Sequence, residues 1–199
     1  SGVTNGAFYH HFATREAVAE AVLGEYAARA SNAVAEATRS ASSGIDALLR
    51  VSVAFAKLLQ SDVVVLAGVI VTSEIGSSFL SHGSYLDWLA RIRPVIRICQ
   101  REGSIRGDFS ADDVSSLFVS SFTGTQLLSG ALTDRQDLLE RIGVHWRIIL
   151  LGLTTPESAE RVGKLMDSAF GDSETGGMSE MDDDARGTSF EEETQHALR

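Results

Sequence analysis

The chain has 199 residues, 44% of them hydrophobic, with two prolines, one cysteine and a net charge of −10. That length holds one large or two small domains with a sizeable core, the scarcity of proline favours helix almost throughout, and the lone Cys99 excludes an internal disulfide. The strongest apolar run, residues 63–71, is interrupted by Gly68 and falls well short of the roughly 20 residues a spanning helix needs, and no secretory leader pattern is present, so a cytoplasmic protein without a membrane partner is expected.

Ser1-Gly2-Val3 has the small, flexible character of a tight turn between two helices. Thr4 offers a hydroxyl to cap a short helix dense in aromatics and histidines, closed by Phe12-Ala13 before a second cap at Thr14. Residues 14–40 read as one long helix with apolar positions at Val18, Val22, Tyr26 and Val34. Ser40-Ala41-Ser42-Ser43-Gly44 is a small-residue break. A helix is predicted over 45–60, with Leu48, Leu49, Ser52, Phe55, Ala56 and Leu59 on one face. Residues 63–72 are so apolar and β-branched that periodicity alone allows a strand; in an otherwise helical chain a buried helix is expected.

Further on, 77–83 reads as a loop and 84–100 as a helix kinked at Pro94. Ser110-Ala111-Asp112-Asp113 resembles a capping box with Asp as the returning acid, opening a helix to about Leu132. Thr133-Asp134-Arg135-Gln136 has the Thr-x-x-Gln form and is expected to open the next helix, to about Leu151. Thr155-Pro156 opens a last one to about Phe170. From Gly171 onward Gly, Ser, Asp and Glu dominate without periodicity, so 171–199 is expected to be a disordered acidic tail. It carries nine acidic and two basic side chains, against eighteen and fifteen in the rest, so most of the negative charge lies outside the folded part.

Signatures of catalysis are weak. His10 and His11 are adjacent, so on a helix they diverge by about 100° and cannot share a metal as an i, i+4 pair does. No Gly-x-Ser-x-Gly elbow and no phosphate-binding glycine loop occurs. Neither enzymatic activity nor a cofactor or metal is expected. Ser116, Ser120 and Gly124 repeat at i, i+4 and form a smooth strip that another helix can approach closely. The following helix presents Leu138, Leu139, Ile142, His145, Trp146, Ile149 and Leu150. Two such helices per subunit could form a four-helix contact across a two-fold axis, with Ile142, Trp146 and Ile149 at the interface; from these residues alone ordinary core packing is an equal reading, and only the family resemblance given below favours the dimer.

The run Gly2-Val3-Thr4-x-Gly6-x-Phe8-Tyr9-x-His11-Phe12-x-Thr14-Arg15 resembles the signature of TetR-family transcriptional regulators. The resemblance implies an all-α, homodimeric regulator whose helix-turn-helix reads operator DNA. By position, Thr4, Tyr9, His11 and Arg15 resemble phosphate contacts, Gly6 and Ala7 lie where the recognition helix enters the major groove, and His10 shares that helix. Asn5 departs from the usual Lys or Arg, removing a phosphate contact while leaving a side chain able to pair with a base edge. On this reading residues 1–40 hold the C-terminal part of the DNA-binding domain plus a connecting helix, residues 41–170 the ligand-binding and dimerisation domain, and the family's first helix and most of its second are not in the sequence.

Tyr85-Leu86-Asp87-Trp88, Arg101-Glu102-Gly103-Ser104-Ile105, Phe122-Thr123-Gly124-Thr125-Gln126 and Asp134-Arg135-Gln136-Asp137-Leu138 are similar to receptors for γ-butyrolactone-type autoregulators, repressors within that family that sense a small diffusible signal. The resemblance implies a pocket in which Trp88 is a wall; Thr123 and Gln126 follow on a facing helix and could orient a lactone head, with interhelical bonding as their competing role, and Phe55, Val65, Val69 and Phe79 are candidate apolar lining that nothing local separates from core. A different class competes with the repressor: a dimeric module that binds a small molecule or a partner without acting on DNA.

Overall fold

The computed structural model describes residues 15–74 and 79–171; at residues 15, 16, 73, 74 and 79–82 the description covers the backbone alone. The described chain is helical throughout: α1 (Arg15–Arg39), α2 (Gly44–Ser61), α3 (Val63–Glu74), α4 (Phe79–Arg101), α5 (Ala111–Thr133), α6 (Leu138–Leu153) and α7 (Ala159–Phe170), with a 3-10 turn, Pro156–Ser158, leading into α7. The segment that periodicity left between strand and helix is α3. Among the described residues no single helix is long and apolar enough to cross a membrane.

The core gathers around α2. Ile45, Leu48, Leu49 and Leu59 are sealed from solvent together with Ile96 and Cys99 of α4, Val114 of α5, and Leu138, Ile142 and Trp146 of α6. Each such side chain contributes about 1.5–3 kcal/mol by leaving water. Ser43 caps α2 by accepting the Asp46 N–H, and the Gly44 N–H donates to Glu102 of α4 at 2.9 Å. A β-carbon on Gly44 would lie 2.9 Å from Cys99 Sγ, so its absence lets the start of α2 press against α4.

Asp62 sits at a turn of 100° between α2 and α3. Its carboxylate accepts the Val64 and Val65 N–H groups, capping α3, and takes a 2.6 Å bond from Arg29 Nη1. One acid thereby caps a helix and ties α1 to it. An isolated bridge between Ile105 and Thr154 holds the α4–α5 connection against the end of α6.

Three local expectations are corrected. The predicted loop over 77–83 is helical from Phe79 onward, and α4 continues through Pro94 to Arg101. Ser, His and Gly are poor helix formers, but propensity is a weak prior when an adjoining amphipathic stretch already packs. At Ser110 the hydroxyl accepts the Asp113 N–H at 3.0 Å as expected, whereas the Asp113 carboxylate returns to that hydroxyl rather than to the Ser110 amide. Thr133 closes α5 instead of opening α6, because Asp134 and Arg135 both take positive φ (51° and 65°) and reverse the chain. Asp137 organises that reversal by accepting from Ser129 and Thr133 hydroxyls and from Arg141. Residues 172–199, expected to form the acidic tail, lie outside the described residues.

Candidate ligand site

A cavity of about 80 Å³ opens among six of the helices, lined by Tyr26 of α1, Ser52 and Phe55 of α2, Val69 and Thr72 of α3, Tyr85 and Trp88 of α4, Phe118, Phe122, Thr123 and Gln126 of α5, and Trp146 of α6. Its wall is an aromatic cage. The Phe55 ring lies 4.7 Å from Trp88 and 5.6 Å from Phe122, both tilted, and Phe118 stacks on Trp146 at 4.4 Å. Such pairs contribute about 0.5–1.5 kcal/mol each beyond burial and hold the rings at fixed angles. None of the described lining residues carries a charge.

The polar groups on the wall are largely committed. Ser52 donates to Leu48 O, Thr72 to Gly68 O and Thr123 to Val119 O, each bonding back one turn along its own helix. Trp88 Nε1 donates to the Tyr26 hydroxyl oxygen at 2.8 Å, joining α4 to α1. Burial pushes the Tyr26 phenol above its ordinary pKa, against the opposing effect of the Trp88 hydrogen bond. Gln126 is buried, with its side-chain oxygen a long 3.5 Å from the Arg135 guanidinium, which lies over Gly130. A charge-free, aromatic cavity with a few oriented polar groups accommodates a small neutral molecule with an apolar body.

No protein-family model matches the chain. The A-factor receptor protein of Streptomyces griseus is 28% identical over 154 residues, which cover 77% of this chain and 53% of that protein, so the chain spans about half the length of that relative. The structure of a γ-butyrolactone receptor (ArpA-like protein) superposes with a TM-score of 0.72 at 23% identity, covering 86% of this chain and 82% of the other. TylP, a TetR regulator from Streptomyces fradiae, is 28% identical with a TM-score of 0.60, over 88% and 79% of the two chains. The chain is thus similar to γ-butyrolactone receptors and TetR regulators and shares their fold.

In this receptor-like fold Phe55, Val69, Trp88, Thr123 and Gln126, all named from the sequence, stand on the cavity wall. Val65 is buried in the core and is not among the lining residues, and the Phe79 side chain lies outside the described residues. Sequence reasoning placed Tyr26 only as an apolar step on a long helix; the clue was its hydroxyl, which a buried tyrosine must hydrogen-bond. Trp146, expected at the dimer interface, and Phe118 and Phe122, not assigned to the pocket from the sequence, complete the wall.

The receptor-like chain also corrects part of the expected dimer surface. Ser116, Ser120 and Gly124 are exposed on α5, beside exposed Leu117 and Leu128, and so remain free for a partner helix. Ile142 and Trp146 do not: they are 0% and 1% exposed inside the protomer, and Ile149 is half-buried. α6 carries two apolar stripes of the same helical period, and the second, Val144, Ile148 and Leu151, faces outward at 55%, 65% and 82% exposure. Thr4, Asn5, Gly6, Ala7, Tyr9, His10 and His11 lie outside the described residues, as does the side chain of Arg15, whose backbone opens α1.

Proposed function

We propose that the protein is a ligand-responsive transcriptional repressor of the cytoplasm, non-catalytic and homodimeric, that binds operator DNA and is released by a small γ-butyrolactone-like effector held in the aromatic cavity. The observation that carries this reading is the Trp88–Tyr26 hydrogen bond, because it links the pocket wall to the helix that continues directly from the segment resembling a DNA-reading head. At roughly 10–15 Å³ per water, a cavity of about 80 Å³ takes several waters or one small ring. An effector with an acyl tail must push the walls apart, and so favours a state in which α1 is displaced. That differential affinity between two states is what a switch requires, since a ligand that binds both equally shifts nothing.

Dimerisation is supported by the outward apolar stripe of α6 beside the small-residue strip Ser116, Ser120 and Gly124 on α5. Two recognition helices at fixed separation read a palindrome, where one reads too few bases. The test is a salt-titrated gel shift of the full chain on DNA from upstream of its own coding region, with and without an acyl-substituted γ-butyrolactone. The expected result is a shift that weakens steeply with salt and is abolished by the lactone. Absence of a shift at low salt overturns the DNA-binding part; a shift indifferent to the lactone overturns the effector part.

A further inference from the structure

Six hydroxyl-bearing residues stand on the cavity wall: Tyr26, Ser52, Thr72, Ser84, Tyr85 and Thr123. Ser52, Thr72 and Thr123 have given their protons to backbone carbonyls of their own helices and offer only lone pairs. Ser84 and Tyr85 are half-buried. Tyr26 differs from all of these. It is 5% exposed, its oxygen is occupied as an acceptor by Trp88 Nε1–H, and among the described residues its own proton has no acceptor. A buried donor without a partner forfeits its hydration for nothing in return, and the cavity is the space from which a partner can come.

We propose that the Tyr26 hydroxyl is the hydrogen-bond donor that reads the carbonyl oxygen of the effector, completing a chain Trp88 N–H to Tyr26 O–H to ligand oxygen. The proposal rests on the reading of the cavity as the effector site and names its specificity-determining donor. The Trp88 N–H polarises the phenol it donates to, which strengthens the next bond in line. Tyr26 is also the sole α1 residue among the described lining residues. The ligand's polar atom is therefore held by the helix that must move, whereas its apolar body rests on α2, α4 and α5. Charge is not involved: the buried phenol keeps its proton well into the alkaline range. The site takes neutral esters, lactones or ketones whose oxygen accepts without donating.

The test compares α-hexyl-γ-butyrolactone with 3-hexyltetrahydrofuran, which has the same ring size and tail and no carbonyl. Binding to the full chain is followed by intrinsic fluorescence, whose two tryptophans, Trp88 and Trp146, both line the cavity. In Tyr26→Phe the lactone is expected to bind about tenfold more weakly, in line with one neutral hydrogen bond, while the ether binds as it does to the unaltered chain. The unchanged ether affinity shows that the variant's cavity is intact. If both ligands weaken alike, Tyr26 is a packing residue and the proposal falls; it falls equally if neither weakens, with the effector-site reading left standing. If the lactone fails to bind the unaltered chain, the effector-site reading is overturned and this proposal with it.

Discussion

Gly68 of α3 lies directly against Tyr26 of α1: a β-carbon on Gly68 would sit 2.5 Å from both Cβ and Cγ of Tyr26. The two helices therefore approach at a distance only hydrogen permits, and the phenol is fixed with its hydroxyl toward Trp88. Gly68→Ala must push α1 and α3 apart. It is expected to destabilise the fold by about 1–3 kcal/mol, the usual cost of overpacking, and to weaken lactone binding by displacing Tyr26. Chemical denaturation and the fluorescence titration check the two effects; an unchanged denaturation midpoint would contradict the packing described.

The outward stripe of α6 leads to a second prediction. Leu151 and Ile148 touch little of their own protomer, so Ile148→Glu or Leu151→Glu should leave the helical content and thermal midpoint of the subunit largely unchanged. Placed at a two-fold contact, the same charges face each other and split the dimer. Sedimentation velocity is expected to show a dimer for the unaltered chain and a monomer for the variants. A dimer that survives both substitutions would put the interface elsewhere.

Asp137 predicts an acid sensitivity. Hydrogen bonds from the Ser129 hydroxyl, then from Thr133 and Arg141, hold its carboxyl at a pKa of about 2 against the opposing effect of desolvation. Because the folded pKa lies below the ordinary carboxylate value, the stabilisation is fully present above about pH 4 and is lost as the pH falls towards 2. Asp137→Asn should lower the melting temperature at neutral pH and flatten its dependence on pH between 4 and 2. Parallel curves for the two proteins would show that the α5–α6 reversal does not depend on this charge.

Cys99 is expected to be inert. Burial, reinforced by the negative charge of Glu102, pushes its thiol up to about 12, and no part of it reaches solvent. Iodoacetamide at pH 8 should leave the native chain unmodified and label it fully in guanidinium. Rapid labelling under native conditions would mean that α4 opens locally near its end.

The helices were legible because their apolar faces repeat at 3.6 residues and because small or capping residues punctuate them, as at Ser43 and Ser110. Nothing local separates Phe55 and Val69 from core, but Trp88 was legible as a candidate pocket residue through the resemblance, and Thr123 and Gln126 through their place on a facing helix. Tyr26 was not, since its partner Trp88 lies 62 residues away and nothing local marks an interhelical hydrogen bond. The two stripes of α6 share one period, so the pattern reveals that both are apolar without revealing which is the subunit's own core. Thr133-Asp134-Arg135-Gln136 matches a helix start by residue type, yet two successive positive φ angles turn it into a helix end. That choice is made by Ser129 and Asp137, which the four-residue pattern does not contain.

The uncharged wall of the cavity bears on how a signal would be switched off. A lactone and its ring-opened hydroxy acid differ by one molecule of water and one negative charge. Among the described lining residues there is no Arg, Lys or His to meet a carboxylate, and burying one unpaired costs several kcal/mol. Hydrolysis of the ring would then exclude such a molecule from the cavity while leaving its tail unchanged. The lifetime of the signal would be set by the chemistry of an ester, and the cell could end a response by spending a single water molecule.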